Sequence, residues 1–277
     1  MRKVITIQNL RDACAALPKP IGFVPTMGFL HAGHLSLVKR ARRELASVVV
    51  SIFVNPTQFA PTDDLDAYPR DLARDANLLQ KAGADLLWVP TPEVMYPPDY
   101  QTWVEVEEIT KPLEGEKRPG HFRGVATIVT KLFNAVQPQV AYFGQKDAQQ
   151  VAVIRQMVRD LNMPVKIVAS PIIRERDGLA MSSRNTYLNP EERQAALVLS
   201  KSIQIAKLAY ENGERNADTL REKMEKFINA EPLARLEYVS CADYDSLKEL
   251  VEIEGKALLS MAVYIGTTRL IDNLILE

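Results

Sequence analysis

Residues 21–39 read Ile21-Gly22-Phe23-Val24-Pro25-Thr26-Met27-Gly28-Phe29-Leu30-His31-Ala32-Gly33-His34-Leu35-Ser36-Leu37-Val38-Lys39. A short apolar run, 21–25, empties into a polar turn containing two glycines, and a helical pattern starts directly behind it. The spacing predicts strand, turn and helix, with His31 and His34 three residues apart at the helix N-terminus. Unpaired backbone amides and the positive end of the helix dipole favour an anion there. Each imidazole adds a hydrogen-bond donor, and Gly33 permits close approach. Phosphate is the ligand that fits. The same two histidines also read as a pair of helix caps. Zinc fits less well, because the remaining histidine is His121 and no cysteine pattern completes a ligand set.

Outward from this stretch, five further apolar runs (4–7, 48–54, 84–89, 140–143 and 165–169) alternate with helical patterns through the first two thirds of the chain. Several are rich in Val and Ile, as strands covered on both faces are, so an α/β fold around a parallel sheet is expected. The clearest helix is 125–136, where Val125, Ile128, Val129, Leu132, Phe133 and Val136 make one apolar stripe. Open parallel sheets bind ligands beyond the carboxyl ends of their strands. Three of the runs lead into Thr26-Met27-Gly28, Asn55-Pro56-Thr57-Gln58 and Gly144-Gln145-Lys146-Asp147, and the strand near Val168 continues toward Ile173-Arg174. Polar groups far apart in sequence are therefore expected along one crevice. The loops 55–69 and 91–101 are too long for plain connections and are candidates for function or short structure.

After about Arg174 the texture changes, and a second domain is expected, dividing the chain into 1–173 and 174–277. Asn189-Pro190-Glu191-Glu192 starts a helix: Asn caps free amides, Pro sacrifices no N–H, and two acids face the positive helix end. Asn212-Gly213 ends it, and a helix at 217–229 with strands at 236–242, 257–264 and 270–276 completes a smaller α+β module. Of 277 residues 47% are hydrophobic and 25% charged, which excludes a disordered or fibrous chain. Thirty-four Lys+Arg against 35 Asp+Glu leave a net charge of -1 and no global field for nucleic acid or an anionic membrane. Cys14 and Cys241 are too few for a disulfide framework, and no apolar run approaches spanning length, so a cytoplasmic protein is expected.

Met181-Ser182-Ser183-Arg184-Asn185 offers two hydroxyls and a guanidinium near the expected domain junction. Alone it reads equally as a solvated turn. Paired with His31-Ala32-Gly33-His34 it resembles the nucleotidylyltransferase superfamily, relatives of class I aminoacyl-tRNA synthetases. Further blocks narrow the likeness: Pro25-Thr26-Met27-Gly28, Phe53-Val54-Asn55-Pro56-Thr57-Gln58-Phe59, Tyr68-Pro69-Arg70, Arg118-Pro119-Gly120-His121-Phe122-Arg123-Gly124-Val125, and Gly144-Gln145-Lys146-Asp147 with Gln149-Gln150. Together, over about 22–185, they resemble the pantoate–β-alanine ligase (pantothenate synthetase) family, although Gln145 stands where Glu is more usual.

The resemblance implies a Rossmann-like parallel sheet binding ATP and pantoate, with a smaller α+β C-terminal lid domain. It also implies Mg²⁺ carried by the nucleotide, pantoate and β-alanine as substrates joined through a pantoyl adenylate, and a homodimer without nucleic-acid or membrane partners. In that family the residue matching His34 is the proton donor. His31, His34, Lys146, Ser182, Ser183 and Arg184 would stabilise charge on the phosphates, and Met27, Gly28, Gly33, Gly144, Asp147, Ile173 and Met181 would complete the ATP site. Asp147 reads alternatively as a helix cap. Gln58 and Gln150 would read pantoate, since a neutral amide donates and accepts without blunting an attacking carboxylate as Lys or Arg would. Asn55 and Tyr68 would help place β-alanine, and one of Arg118 and Arg123 would lie near the active site with the other in an ion pair. The metal ligands are unknown, with Asp75 a speculative contact, and Lys39, Arg40, Arg42 and Arg43 read as a solvated helix face. An adenylyltransferase for another small acid or a phosphate acceptor, and a noncatalytic nucleotide- or RNA-binding relative, stay open as alternatives.

Overall fold

A computed structural model describes residues 1–60 and 64–277; Pro61, Thr62 and Asp63, inside the 55–69 loop, lie outside the described residues. The first strand comes earlier than its apolar pattern suggests: β1 is Arg2–Val4, and Thr6 caps α1 (Ile7–Ala16), its hydroxyl accepting from the Asn9 amide at 3.2 Å. A side chain that satisfies an orphan helix amide outweighs the β-branched residues around it. The chain continues through β2 (Ile21–Thr26), α2 (Ala32–Glu44), β3 (Ser47–Ile52), α3 (Leu72–Ala82) and β4 (Leu86–Trp88). It then passes α4 (Pro92–Met95), α5 (Glu114–Lys117), α6 (His121–Val136), β5 (Val140–Gly144), α7 (Ala148–Asp160) and β6 (Lys166–Ser170). The two long loops each carry short structure, a 3-10 turn at Pro56–Gln58 and the single turn of α4.

All six strands are parallel and ordered β1-β4-β3-β2-β5-β6. From β2 the chain steps to β3 on one side and later returns to β5 on the other, so the order reverses between β2 and β5, where such sheets open a ligand crevice. Every residue of β3 is buried, which fits its Val-rich run and helices on both faces. Val24, Val48, Val50 and Leu87 join a core with Val38 and Ala41 of α2 and Leu79 of α3. On the opposite face Phe23 meets Phe133 of α6 edge-on at 6.4 Å, and Phe133 meets Phe143 likewise. The basic face of α2 is only half solvated. Arg40 donates to the Ala169 carbonyl and the Ser170 hydroxyl beyond α2, while Arg42 pairs with Asp85 at 2.8 Å, whose carboxylate also caps the Val48 amide. Arginine reaches carbonyls and carboxylates at strand ends with several donors at once, so Arg40 and Arg42 stitch α2 to the sheet and only Lys39 and Arg43 point to solvent.

The chain folds as two compact units, Met1–Gln145 with Gln149–Pro171, and Ile172–Glu277 with Lys146–Ala148. The second contains α8 (Pro190–Ala195), α9 (Leu197–Glu211), α10 (Ala217–Asn229) and an antiparallel meander of β7 (Ala234–Asp243), β8 (Ala257–Ile265) and β9 (Thr268–Leu276). Asn189 begins α8 in a capping box: its Oδ1 accepts from the Glu192 amide, and Glu192 Oε2 accepts from the Asn189 amide. The single helix expected from there to Asn212 is interrupted at Ala196, which tightens by a turn. Leu199, Ile203, Leu220, Met224 and Ile228 pack on Leu259, Met261 and Val263. Each unit holds one buried, unpaired thiol, Cys14 in the first and Cys241 in the second, and burial pushes both up to about 11. Among the described residues no helix is long and apolar enough to cross a membrane.

Gly124, in the first turns of α6, is where a helix meets the 3-10 turn Pro56–Gln58 most closely. A Cβ there would lie 2.3 Å from the Thr57 carbonyl oxygen and 2.8 Å from the Gln58 nitrogen, both backbone atoms. Helix propensity alone favours Gly124→Ala by about 1 kcal/mol, whereas the clash predicts the opposite sign, a loss of about 1–3 kcal/mol. A lowered melting temperature in the purified variant is the expected outcome, and a raised one would refute the close approach.

Candidate active site

The turn leaving β2 is left-handed at two successive residues, Gly28 (φ 85°) and Phe29 (φ 48°). The conformation is uncomfortable for phenylalanine, and a buried acid compensates. Asp75, 1% exposed on α3, accepts the Phe29 amide at Oδ2 (2.6 Å) and the Leu30 amide at Oδ1 (2.8 Å). Neighbouring Arg74 donates to the Leu30 carbonyl at 2.8 Å and lies over the Phe29 ring at 5.1 Å. Burial pushes the Asp75 carboxyl above its ordinary range, opposed by the two amides and by Arg74. The acid read from sequence as a speculative metal contact thus has both oxygens turned to backbone amides. Forty-five or so residues of separation hid this partnership; only the acid's place on an apolar face of α3 hinted at it.

Behind that turn, His31 occupies the N-cap of α2. Its Nδ1 accepts the Gly33 amide at 3.1 Å, and His34 Nδ1 accepts the His31 amide at 3.3 Å, a reciprocal capping box built from imidazoles. An accepting Nδ1 leaves the ring proton on Nε2, so both rings are neutral donors at Nε2. The rings lie 4.1 Å apart, centroid to centroid, and both are half-buried. Capping and donation to an anion, alternatives at the level of sequence, are compatible in one geometry.

Beyond β3 the 3-10 turn Pro56–Gln58 is clamped from several sides. The Gln58 carbonyl accepts from His121 Nδ1 at 2.8 Å and from Arg118 at 3.4 Å, and a second Arg118 nitrogen lies 3.2 Å from His121 Nε2. His121 is therefore the opposite tautomer, with its proton on Nδ1. The Gln58 side chain meets Asn55 Nδ2 at 3.0 Å through Oε1, and the Met27 thioether at 3.3 Å through Nε2. Asn55 is buried and engaged wholly within the protein, by Gly124, Thr57 and Tyr96 as well as Gln58. Tyr68 is buried edge-on against Phe59 at 6.0 Å. Arg118 is the arginine at Gln58; Arg123 lies over the Trp103 ring at 4.7 Å, a cation–π contact where an ion pair was expected. Gln150, half-buried in α7, is spared the structural duty of its neighbour Gln149, which is 4% exposed and ties the Glu114 amide to the Ile109 and Pro112 carbonyls.

In the second unit, Lys146 lies with its ammonium 4.0 Å from Asp147, and its carbonyl accepts from Asn273 at 2.9 Å. Residues 173–181 form a small antiparallel turn, closed by the Arg174–Ala180 bridge and by the Met181 amide donating to the Ile173 carbonyl at 2.9 Å. Arg174 makes two hydrogen bonds, 2.6 and 2.9 Å, to the buried carboxylate of Asp272, fixing this turn to β9. Ser182 then caps the 3-10 helix Ser183–Tyr187 by accepting the Arg184 amide at 3.2 Å, and Asn185 donates to Glu175 at 2.8 Å. Ile173 and Met181 therefore stand side by side, and Ser182, Ser183 and Arg184 follow on one braced loop. Among the described residues no three His, Cys, Asp or Glu side chains gather as a protein-built metal cage would require.

Comparison with known proteins is extensive over this architecture. The profile of the family described as Pantoate-beta-alanine ligase matches residues 2–275. The pantothenate synthetase of Roseiflexus sp. (strain RS-1) is 59% identical over 277 residues, all of both chains. That of Thermotoga petrophila is 56% identical over 279 aligned positions, again all of both. Among solved structures, pantothenate synthetase from Thermus thermophilus superposes with a TM-score of 0.95 at 49% identity, covering 99% of each chain. The Francisella tularensis pantoate-beta-alanine ligase, complexed with beta-gamma ATP and beta-alanine, gives a TM-score of 0.81 at 35% identity over 99% of this chain and 97% of that one. With a Rossmann-like parallel sheet, a separate antiparallel meander and relatives this similar along their whole length, the chain belongs to the pantoate–β-alanine ligase family.

Proposed function

We propose that this protein condenses pantoate with β-alanine at the expense of ATP. The pantoate carboxylate attacks the α-phosphorus, forming a C–O–P bond as the bond to pyrophosphate breaks. The β-alanine amine then attacks the acyl carbon, forming the amide as AMP leaves and the nitrogen gives up a proton. The observation that carries this reading is the N-terminus of α2, where two neutral imidazoles are held by backbone amides with Nε2–H as donor. Phosphoryl-group transfer needs positioning and stabilisation of charge on phosphate oxygens more than covalent help, which fixed donors at a helix dipole supply.

In this reading His31, His34 and the amides around Gly33 meet the triphosphate, with Met27, Gly28 and Gly144 against the nucleotide. Lys146 adds a compact positive charge, Asp147 accepts from the ribose, and Ile173 and Met181 frame the adenine. Ser182, Ser183 and Arg184 donate to the outer phosphates, the two hydroxyls and the guanidinium offsetting their charge. Gln58 and Gln150 take pantoate, and Arg118 and His121 steady Gln58 through its carbonyl. Tyr68 is kept for β-alanine, while Asn55 acts through Gln58. Mg²⁺ would be held by the nucleotide phosphates and neutralise part of their charge. A homodimer in the cytoplasm completes the reading, the compartment supported by two buried, unpaired thiols.

Three outcomes test it. Pantoate should drive ATP–pyrophosphate exchange without β-alanine, and exchange supported only by a different acid would replace the substrate. His34→Ala should slow adenylate formation by about a hundredfold or more with the fold retained and the melting temperature lowered only by the few degrees that a lost capping bond costs, and near-normal turnover would remove His34 from the mechanism. Gln58→Ala should raise the pantoate KM well above any change in the ATP KM, because a substrate oxygen loses its donor.

A further inference from the structure

Tyr96 lies outside every sequence block that points to the active site. Its ring is held among Phe53 (6.4 Å), Tyr100 (5.1 Å) and Trp103 (6.3 Å), with the Lys131 ammonium 5.6 Å from its centre. Its hydroxyl points inward and donates to Asn55 Oδ1 at 2.8 Å. Which way the Asn55 amide faces is decided by the Gly124 carbonyl, which only accepts, so Nδ2 must lie on that side, at 3.3 Å. Oδ1 is then left for hydroxyls: Tyr96 donates to it at 2.8 Å, and Thr57, 3.0 Å away, also lies 3.1 Å from the Tyr96 oxygen, so that its one proton is shared between the two acceptors. The second Nδ2 hydrogen goes to Gln58 Oε1 at 3.0 Å. Both donors and both lone pairs of Asn55 are thereby engaged. With its oxygen taken, Gln58 turns its NH₂ edge the other way, toward the Met27 thioether at 3.3 Å, a weak acceptor that a substrate oxygen outcompetes.

We propose that Tyr96 is a positioning residue for the acid substrate: through Asn55 it fixes the Gln58 amide with its donor edge outward, so that this position takes a carboxylate or hydroxyl oxygen and disfavours a donor. The inference rests on the reading of Gln58 as a pantoate contact. Burial pushes the Tyr96 phenol up to about 12, so it keeps its proton and stays a donor at any working pH.

Measuring KM for pantoate and for ATP in Tyr96→Phe, Gln58→Ala and the double variant separates the two ideas. Tyr96→Phe should raise the pantoate KM about three- to tenfold with no matching rise in the ATP KM, and should add nothing further in the Gln58→Ala background. An unchanged pantoate KM in Gln58→Ala removes Gln58 as a reader, and the relay with it. A raised value there, with Tyr96→Phe silent, moving both substrates equally, or acting by the same factor in both backgrounds, overturns the relay and leaves Gln58 in place.

Discussion

A buried carboxylate between two backbone amides is the contact on which the turn between β2 and α2 depends. Asp75 holds Phe29 and Leu30 by their N–H groups, and those residues lead straight into the capping box of His31 and His34. The left-handed backbone at Phe29 is costly in isolation and persists only where its surroundings overdetermine it. Removing the acid would leave two amides unsatisfied in the interior, so the orientation of both imidazoles is set one helix away from them. A second constraint does the same for the turn after β3: Gly124 lets a helix backbone touch the residues that carry Gln58, and His121, Arg118 and Asn55 then lock that turn from three directions.

These constraints explain what could and could not be read from the residues alone. The parallel sheet was legible because alternating apolar runs and helical patterns admit few other packings, and the strands appear within a few residues of those runs. β1 was misplaced because Thr6 looks like a strand residue until its hydroxyl is seen to cap a helix. The paired imidazoles were visible as a motif, and their tautomers were not, since these depend on which amides face which ring nitrogens. Asp75 and Tyr96 escaped for one shared reason: each acts through a backbone or side-chain partner some forty residues away, and no local spacing records that. Arg40 and Arg42 looked like solvent-facing charge because a helical wheel cannot show that a strand end lies within reach.

The two kinds of histidine illustrate how local backbone sets the polarity of a side chain. His31 and His34 accept at Nδ1, while His121 donates there to a carbonyl. The same side chain is thus set as a donor at Nε2 in one place and as an acceptor at Nε2 in another, entirely by the backbone it leans on. Structural satisfaction and chemical readiness are the same hydrogen bond viewed from its two ends.

Each unit carries a solitary thiol sealed in its interior, Cys14 within α1 and Cys241 within β7. With the thiols raised to about 11, only about one in ten thousand is thiolate at neutral pH, so alkylating reagents have almost nothing to attack while the fold is closed. The molecule therefore contains a pair of native clocks. The moment each sulfur becomes modifiable marks the opening of its own half, and the order of the two events gives the sequence in which the halves come apart, with no label introduced from outside.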